Sequence, residues 1–226
     1  MTLDRPPTPL RRSHALAAGQ TAANLRSRAW RRTFHGVYVP AAVPADDVET
    51  RIRAAACLLP ADGAVSGWAA AWWLGAHVLD GRTPWGDPVP VPLAVPPRRR
   101  LAQRDGITVS RAPLPDCDVH QVRGLRVTSP LRTAFELARA ACPYEQAVAG
   151  VDAMLHVHLV TPAALTSYVA AHARWDRVPQ ARRAVADADA GAENPMETAL
   201  RRTDPRRPAA PTARARRTSG RHGDID

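Results

Sequence analysis

Residues 10–40 read LRRSHALAAGQTAANLRSRAWRRTFHGVYVP, and the order of signals in this stretch decides the N-terminal fold. Helix-forming residues run from Leu10 to Ala18 and meet Gly19, the residue type that most readily closes a helix in the left-handed conformation. Thr21 has an N-capping side chain and predicts a second helix over 22–30. Arg32-Thr33-Phe34-His35-Gly36-Val37-Tyr38-Val39 is rich in β-formers and stops at Pro40. Helix, glycine turn, helix, strand is the order of a winged helix-turn-helix. Pro6, Pro7 and Pro9 predict an irregular arm where such a unit usually has a supporting helix, so the expected winged helix is short and degenerate.

Charge points to the class of partner. The 226 residues carry a formal net charge of +10, and all 31 basic side chains are arginine. The absence of lysine excludes a Schiff-base enzyme, a Walker-A nucleotide site and a nuclease centre of two carboxylates plus lysine. An arginine-only composition also follows from a GC-rich coding bias, so the distribution matters more than the total. Residues 1–35 hold seven arginines against one acid, Asp4, and residues 201–226 hold another eight. Two cationic ends around a nearly balanced body favour phosphate-bearing partners. There is no long apolar run and no signal-peptide core, and the three cysteines form no CxxC pair. These features predict a cytoplasmic protein away from the membrane, with Cys57, Cys117 and Cys142 as reduced, buried thiols.

The middle of the chain alternates helices with short strands. A capping pair, Asp46 and Glu49, opens a helix whose Val48, Ile52, Ala55 and Leu59 share one face. Ser66 starts a helix bearing Trp68, Trp72 and Trp73 that ends at Gly75. Three tryptophans could stack on bases, but the interleaved alanines fit a buried core helix better. Val89 to Val95 alternates with prolines and predicts an edge strand at best. Strands are expected at 107–110 and 125–127. Ser129 followed by Pro130 is an N-cap with proline at the first helical position. Further helices are expected over 144–155, 161–172 and 180–187. Asn194, Pro195 and Glu197 start another, and residues 203–226 are too poor in large apolar side chains to order themselves.

Candidate site residues cluster in the expected second helix and the strand after it. Asn24 can pair with adenine, and Arg26 and Arg28 with guanine or phosphate. Arg31 and Arg32 lie near the helix end, where they should meet phosphates. His35 on the wing strand can touch the backbone, and Tyr38 suits the core. Helix-turn-helix units also serve as protein-interaction modules, and that alternative stays open. Elsewhere, His156 and His158 point to different faces of one helix and make a poor metal pair, even with Asp152 four residues before His156. Ser66 and Ser129 lack a nucleophile-elbow context, and Cys57 sits on an apolar face.

Five phrases occur in a recurring order: the 10–40 stretch, AVSGWAAAWWLGAHVL, GLRVTSPLRTAFELAR, AVAGVDAMLHVHLVTPAAL and AENPMETALRR. Together, over about residues 9–202, they resemble an actinobacterial family that joins an AbiEi-antitoxin-like winged-helix N-terminus to a C-terminal domain like the very-short-patch-repair endonucleases. The resemblance implies a PD-(D/E)xK-type fold at the C-terminus, with Glu197 matching the glutamate of that domain's first helix. Nothing here matches the later carboxylate-bearing strands. A lone glutamate cannot hold Mg²⁺ beside a polarised water, so the expectation is a gene truncated or frame-shifted after about Arg202. Asn194, Pro195 and Glu197 also form a capping arrangement that accounts for the glutamate without metal.

The expected architecture is therefore α/β and mainly helical. It has a winged-helix-like segment over 1–40, a mixed helix/strand middle over 41–188, a remnant first helix of an endonuclease-like domain over 189–202, and a disordered basic tail over 203–226. The expected function is DNA binding, antitoxin-like or regulatory, without catalysis, a metal or another cofactor. The alternatives are a divergent endonuclease using Mg²⁺ with Glu197 and Asp224 or Asp226, and an interaction module that binds a cognate toxin protein.

Overall fold

Short segments of sharply different character give the described residues two small sheets and seven helices, the mixed α/β architecture expected from the sequence. The computed structural model describes residues 9–188. The first sheet pairs β1 (Leu10–Arg11), β3 (Val37–Pro40) and β2 (Trp30–Phe34) in that spatial order, all antiparallel. Helix α1 (Arg12–Ala17) follows β1 and closes near Gly19, whose φ is +85°. The register β2–β3 shifts between Arg32 and Phe34. This bulge sets Phe34 opposite Val37, so both join the buried side while Arg32 pairs with Tyr38 on the other face.

Two expectations for this unit fail. The 32–39 stretch is not one strand but a hairpin turning at His35 and Gly36 (φ +75°). The expected second helix is a single 3-10 turn, Asn24–Arg26. Thr21 lies ahead of its N-cap, Ala23, and its Oγ1 accepts the Asn24 N–H at 3.0 Å. Ser27 then leaves helical conformation (φ −70°, ψ 168°), and its Oγ accepts the Ala29 N–H at 3.3 Å. A serine hydroxyl bonding its own neighbouring backbone competes with helix continuation, and here β2 begins three residues later. No recognition helix is formed.

The second sheet has spatial order β6-β5-β4-β8-β7: Ile107–Arg111, Val91–Val95, Ala64–Val65, Leu125–Thr128 and Val119–Val122. Strands β5/β6 and β4/β8 are parallel, and β4/β5 and β7/β8 antiparallel. The proline-bearing β5 was expected at an edge, yet it lies inside the sheet. Its central proline is tolerated because β4 ends opposite it. The Ser66 N–H donates to Pro92 O at 3.0 Å, and the Ser66 carbonyl accepts the Ala70 N–H that opens α3. The proton Pro92 lacks is thus supplied by a helix start. Strands β7 and β8 join through Arg123 (φ +45°) and Gly124 (φ +79°), the two positive-φ positions of a tight hairpin.

Helices α2 (Val48–Ala56) and α3 (Gly67–Leu74) pack on this sheet. Asp47, one residue beyond the expected cap, holds α2 by accepting the Thr50 N–H at 2.7 Å. Ile52, Val65, Trp73, Leu93, Ile107 and Val127 fill the core between them. A second core lies among α4 (Pro130–Ala140), α5 (Tyr144–His156), α6 (Pro162–Ala171) and α7 (Val178–Asp187). Phe135, Val151, Met154, Leu165 and Val178 are its large members. Helix α3 joins the two cores, with Ala71 on the helical side and Ala69, Ala70 and Trp73 on the sheet side. Ser129 caps α4 as expected, its hydroxyl accepting the Arg132 N–H at 3.4 Å, and Thr161 caps α6 in the same manner. Among the described residues no helix is long and apolar enough to cross a membrane. Glu197, the 189–202 helix and the 203–226 tail lie outside the described residues.

Candidate nucleic-acid interface

The N-terminal unit presents its cations from turns and strands. The Arg12 N–H donates to Gly36 O at 2.8 Å and ties the start of α1 to the β2–β3 turn. Between them is an open cleft of about 390 Å³ lined by Arg11, Arg12, Ser13, His35, Cys57 and Leu58 among others. His35 is thereby brought beside two arginines, Arg11 and Arg12, that sequence reasoning did not single out. The spacing of 23 to 24 residues carried no local signal, although the basic pair itself was visible. Arg11 also anchors the unit, its Nη2 donating to Leu59 O at 3.2 Å.

The other expected contacts divide. Arg26, Arg28 and Arg32 are exposed, and among the described residues no acid pairs with them. Such guanidiniums are hydrated, and phosphates can take them without displacing an internal partner. Arg31 is half-buried and engaged: its Nη2 donates to Val43 O at 3.1 Å and Pro44 O at 3.4 Å, pinning the segment after β3. Asn24 is exposed, but its Nδ2 donates to Gln20 Oε1 at 3.0 Å. Tyr38 is half-buried on the face of the sheet that carries Arg32.

The body has a different chemistry. Trp73 is buried, donates its Nε1–H to Val122 O at 2.8 Å, and lies under the guanidiniums of Arg53 and Arg123. Trp68 likewise donates to Pro90 O, beneath Arg51. These two rings belong to the body's packing, as the alanine interleaving implied. The exposed aromatic among the described residues is Trp85, 86% accessible, in the loop between α3 and β5. Within the helical core Arg132 is fully enclosed. Its Nη1 donates to Asp118 Oδ2 and to Pro113 O, both at 3.0 Å, and its Nε to Glu136 Oε1 at 2.8 Å. Tyr168 Oη donates to Asp118 Oδ1 at 2.7 Å, and burial followed by this bond drives its phenol well above the ordinary range.

Cys57 is half-buried, its Sγ facing Pro9 O at 3.8 Å, and burial pushes its thiol pKa up, away from nucleophilic use. Cys117 and Cys142 are exposed rather than buried, because Cys117 sits in the 3-10 turn between β6 and β7 and Cys142 in the connection between α4 and α5, not on the apolar face of a helix. His156 and His158 are exposed at the end of α5 while Asp152 is buried, and among the described residues no three His, Cys, Asp or Glu side chains gather as a metal site.

Residues 54–187, more than half of the chain, match the family model of the AbiEi antitoxin C-terminal domain. The match falls on the body, whereas the resemblance read from sequence phrases had placed the antitoxin-like part at the N-terminus. No curated protein matches the chain.

Proposed function

The chain belongs to the AbiEi antitoxin C-terminal domain family, and from that premise we propose that it is an antitoxin-like, DNA-binding regulatory protein that works by binding rather than catalysis. The observation that carries this reading is the antitoxin body over 54–187 preceded by a cationic hairpin unit. In this reading residues 1–40 hold DNA through Arg12, Arg26, Arg28, Arg32 and His35. Residues 41–188 form the body that engages a toxin protein.

Trp85 favours a protein partner for the body. Its loop is tightly bonded: Thr83 N–H to Asp87 O at 2.8 Å, Gly86 N–H to Thr83 O at 2.9 Å, and Arg82 Nη1 to Gly86 O at 2.9 Å. Arg82 also pairs with Asp46 at 2.7 Å, fastening the loop to the start of α2. A rigid loop that holds an indole in water is preorganised to bury it in a partner's pocket.

The test is co-expression with the product of the adjacent gene. The reading expects that product to arrest growth, the full chain to relieve the arrest, and the two to co-purify. Trp85→Ala should lower recovery of the pair by about tenfold or more, the loss of a hot-spot aromatic. Arrest that persists with the full chain present contradicts the antitoxin reading. Cleavage of plasmid DNA in Mg²⁺ that is lost in Glu197→Gln would instead support the nuclease.

A further inference from the structure

A second cleft, of about 410 Å³, opens in the body where the end of β6, helix α4 and the α6–α7 connection meet. Arg111, Arg139 and Arg174 line it from these three segments, with Pro113, Trp175 and Asp176. Asp176 is exposed and leans toward Arg177 at 3.8 Å, Arg139 pairs with Glu136 at 2.8 Å, and Arg111 Nη2 donates to Leu101 O at 2.7 Å; among the described residues no acid pairs with Arg111 or Arg174.

The wall behind the cleft contains two donors without acceptors. Arg139 Nε and Arg132 Nη2 are both buried and have no hydrogen-bond partner among the described residues. The acceptors nearby are already engaged. Glu136 takes Arg132 Nε and Arg139 Nη2, each at 2.8 Å, and Asp118 takes Arg132 Nη1 and Tyr168 Oη. The cluster of Arg132, Arg139, Asp118 and Glu136 is neutral as a whole, and so has no negative charge left for Arg111 or Arg174. Arg132 adjoins two cleft residues directly, donating to Pro113 O and lying 4.4 Å from the Trp175 ring centroid. Arg139 lies 5.4 Å from the same ring. A buried guanidinium donor without a partner is unfavourable, and an oxyanion with several lone pairs is the group that satisfies it.

We propose that this cleft binds a phosphate group, with Arg139 and Arg174 as its principal donors and Trp175 as the wall that holds the guanidiniums in place. The site is separate from the N-terminal hairpin and does not depend on the DNA contacts assigned there. The phosphate can belong to a free phosphate compound or to a nucleic-acid strand, and the chemistry of recognition is the same.

Calorimetric titration of the full chain carrying Arg12→Gln, Arg26→Gln, Arg28→Gln, Arg32→Gln and His35→Gln isolates the cleft from the hairpin. The probes are inorganic phosphate, a short 5′-phosphorylated DNA strand and the same strand with a 5′-hydroxyl. Saturable binding of inorganic phosphate as tight as either strand identifies a free-phosphate site. Preference for the phosphorylated strand identifies a strand end, and equal, tighter binding of both strands identifies the backbone. In each case Arg174→Ala, at an exposed position, should weaken binding by about tenfold or more, the usual loss for a hydrogen bond to a charged group. Arg139→Gln should reduce it further. Absence of saturable binding by all three probes overturns the proposal. So does an Arg174→Ala protein that binds them with unchanged affinity.

Discussion

Arg132→Met removes one guanidinium from the most enclosed charged cluster of the described residues. Arg132 has no solvent exposure and joins Asp118, Glu136 and the Pro113 carbonyl at 2.8–3.0 Å. Methionine replaces much of the volume and none of the charge. Asp118 then keeps only the Tyr168 hydroxyl among its side-chain partners, and Glu136 keeps only Arg139. Removing one partner of a buried pair costs about 3–5 kcal/mol, because the remaining charge stays desolvated. Whole-domain stability is about 5–15 kcal/mol, so the substitution should remove a large share of it. At about 2–3 kcal/mol per molar urea, the unfolding midpoint should fall by roughly 1–2 M. The assay is urea unfolding followed by far-ultraviolet circular dichroism and tryptophan fluorescence. Arg98→Met is the control: its ion pair with Asp62 lies at the surface, and its loss should stay within about 0.5 kcal/mol. Asp118→Asn should cost less in the Arg132→Met background than alone, since the two side chains share one interaction. An Arg132→Met protein within about 1 kcal/mol of the parent would refute the view that this cluster holds the helical body together.

Gly81 has φ +72°, and a Cβ there would collide with the Trp68 ring. Gly81→Ala should therefore destabilise the fold by about 2–4 kcal/mol, combining left-handed strain with overpacking, as read from the same urea transition. Iodoacetamide should modify Cys117 and Cys142 quickly in the native protein, while Cys57, half-buried and with a raised thiol pKa, reacts slowly until denaturant is added. Intact mass spectrometry over time distinguishes the sites, and rapid threefold modification without denaturant would contradict the placement of Cys57.

Much of the helical body was legible because its signals are local. Ser129 and Pro130 marked α4, since capping chemistry lies within one turn of the helix it starts, and the helix expected over 161–172 forms as α6 with Thr161 as its cap. Strand β4 was not legible: two residues have no periodicity, and their strand status comes from partners β5 and β8. Pro92 misled for a related reason. Its interior place depends on β4 giving way to α3 at Ser66, a tertiary coincidence. The 22–30 helix failed where Ser27 found a closer backbone partner. Arg31 looked like its neighbours in sequence and differs from them only through carbonyls twelve and thirteen residues away. The Arg132 cluster did leave a trace, because Arg132, Glu136 and Arg139 stand at i, i+4 and i+7 beside Phe135 on one helix. Its other members, Asp118 and Tyr168, come from distant segments.

In the proposed function the exposed hairpin arginines hold DNA while Arg31 holds the fold. The direct measurement is duplex binding by fluorescence anisotropy across about 50–200 mM salt, the range over which phosphate contacts dominate affinity. The Arg26→Gln/Arg28→Gln/Arg32→Gln protein should lose up to about 0.9 from the magnitude of its log–log salt slope for each phosphate contact removed. Arg31→Gln should leave the slope in place and lower the unfolding midpoint. A triple variant with the slope of the parent chain, or a parent chain that ignores DNA in dilute buffer, would contradict the account.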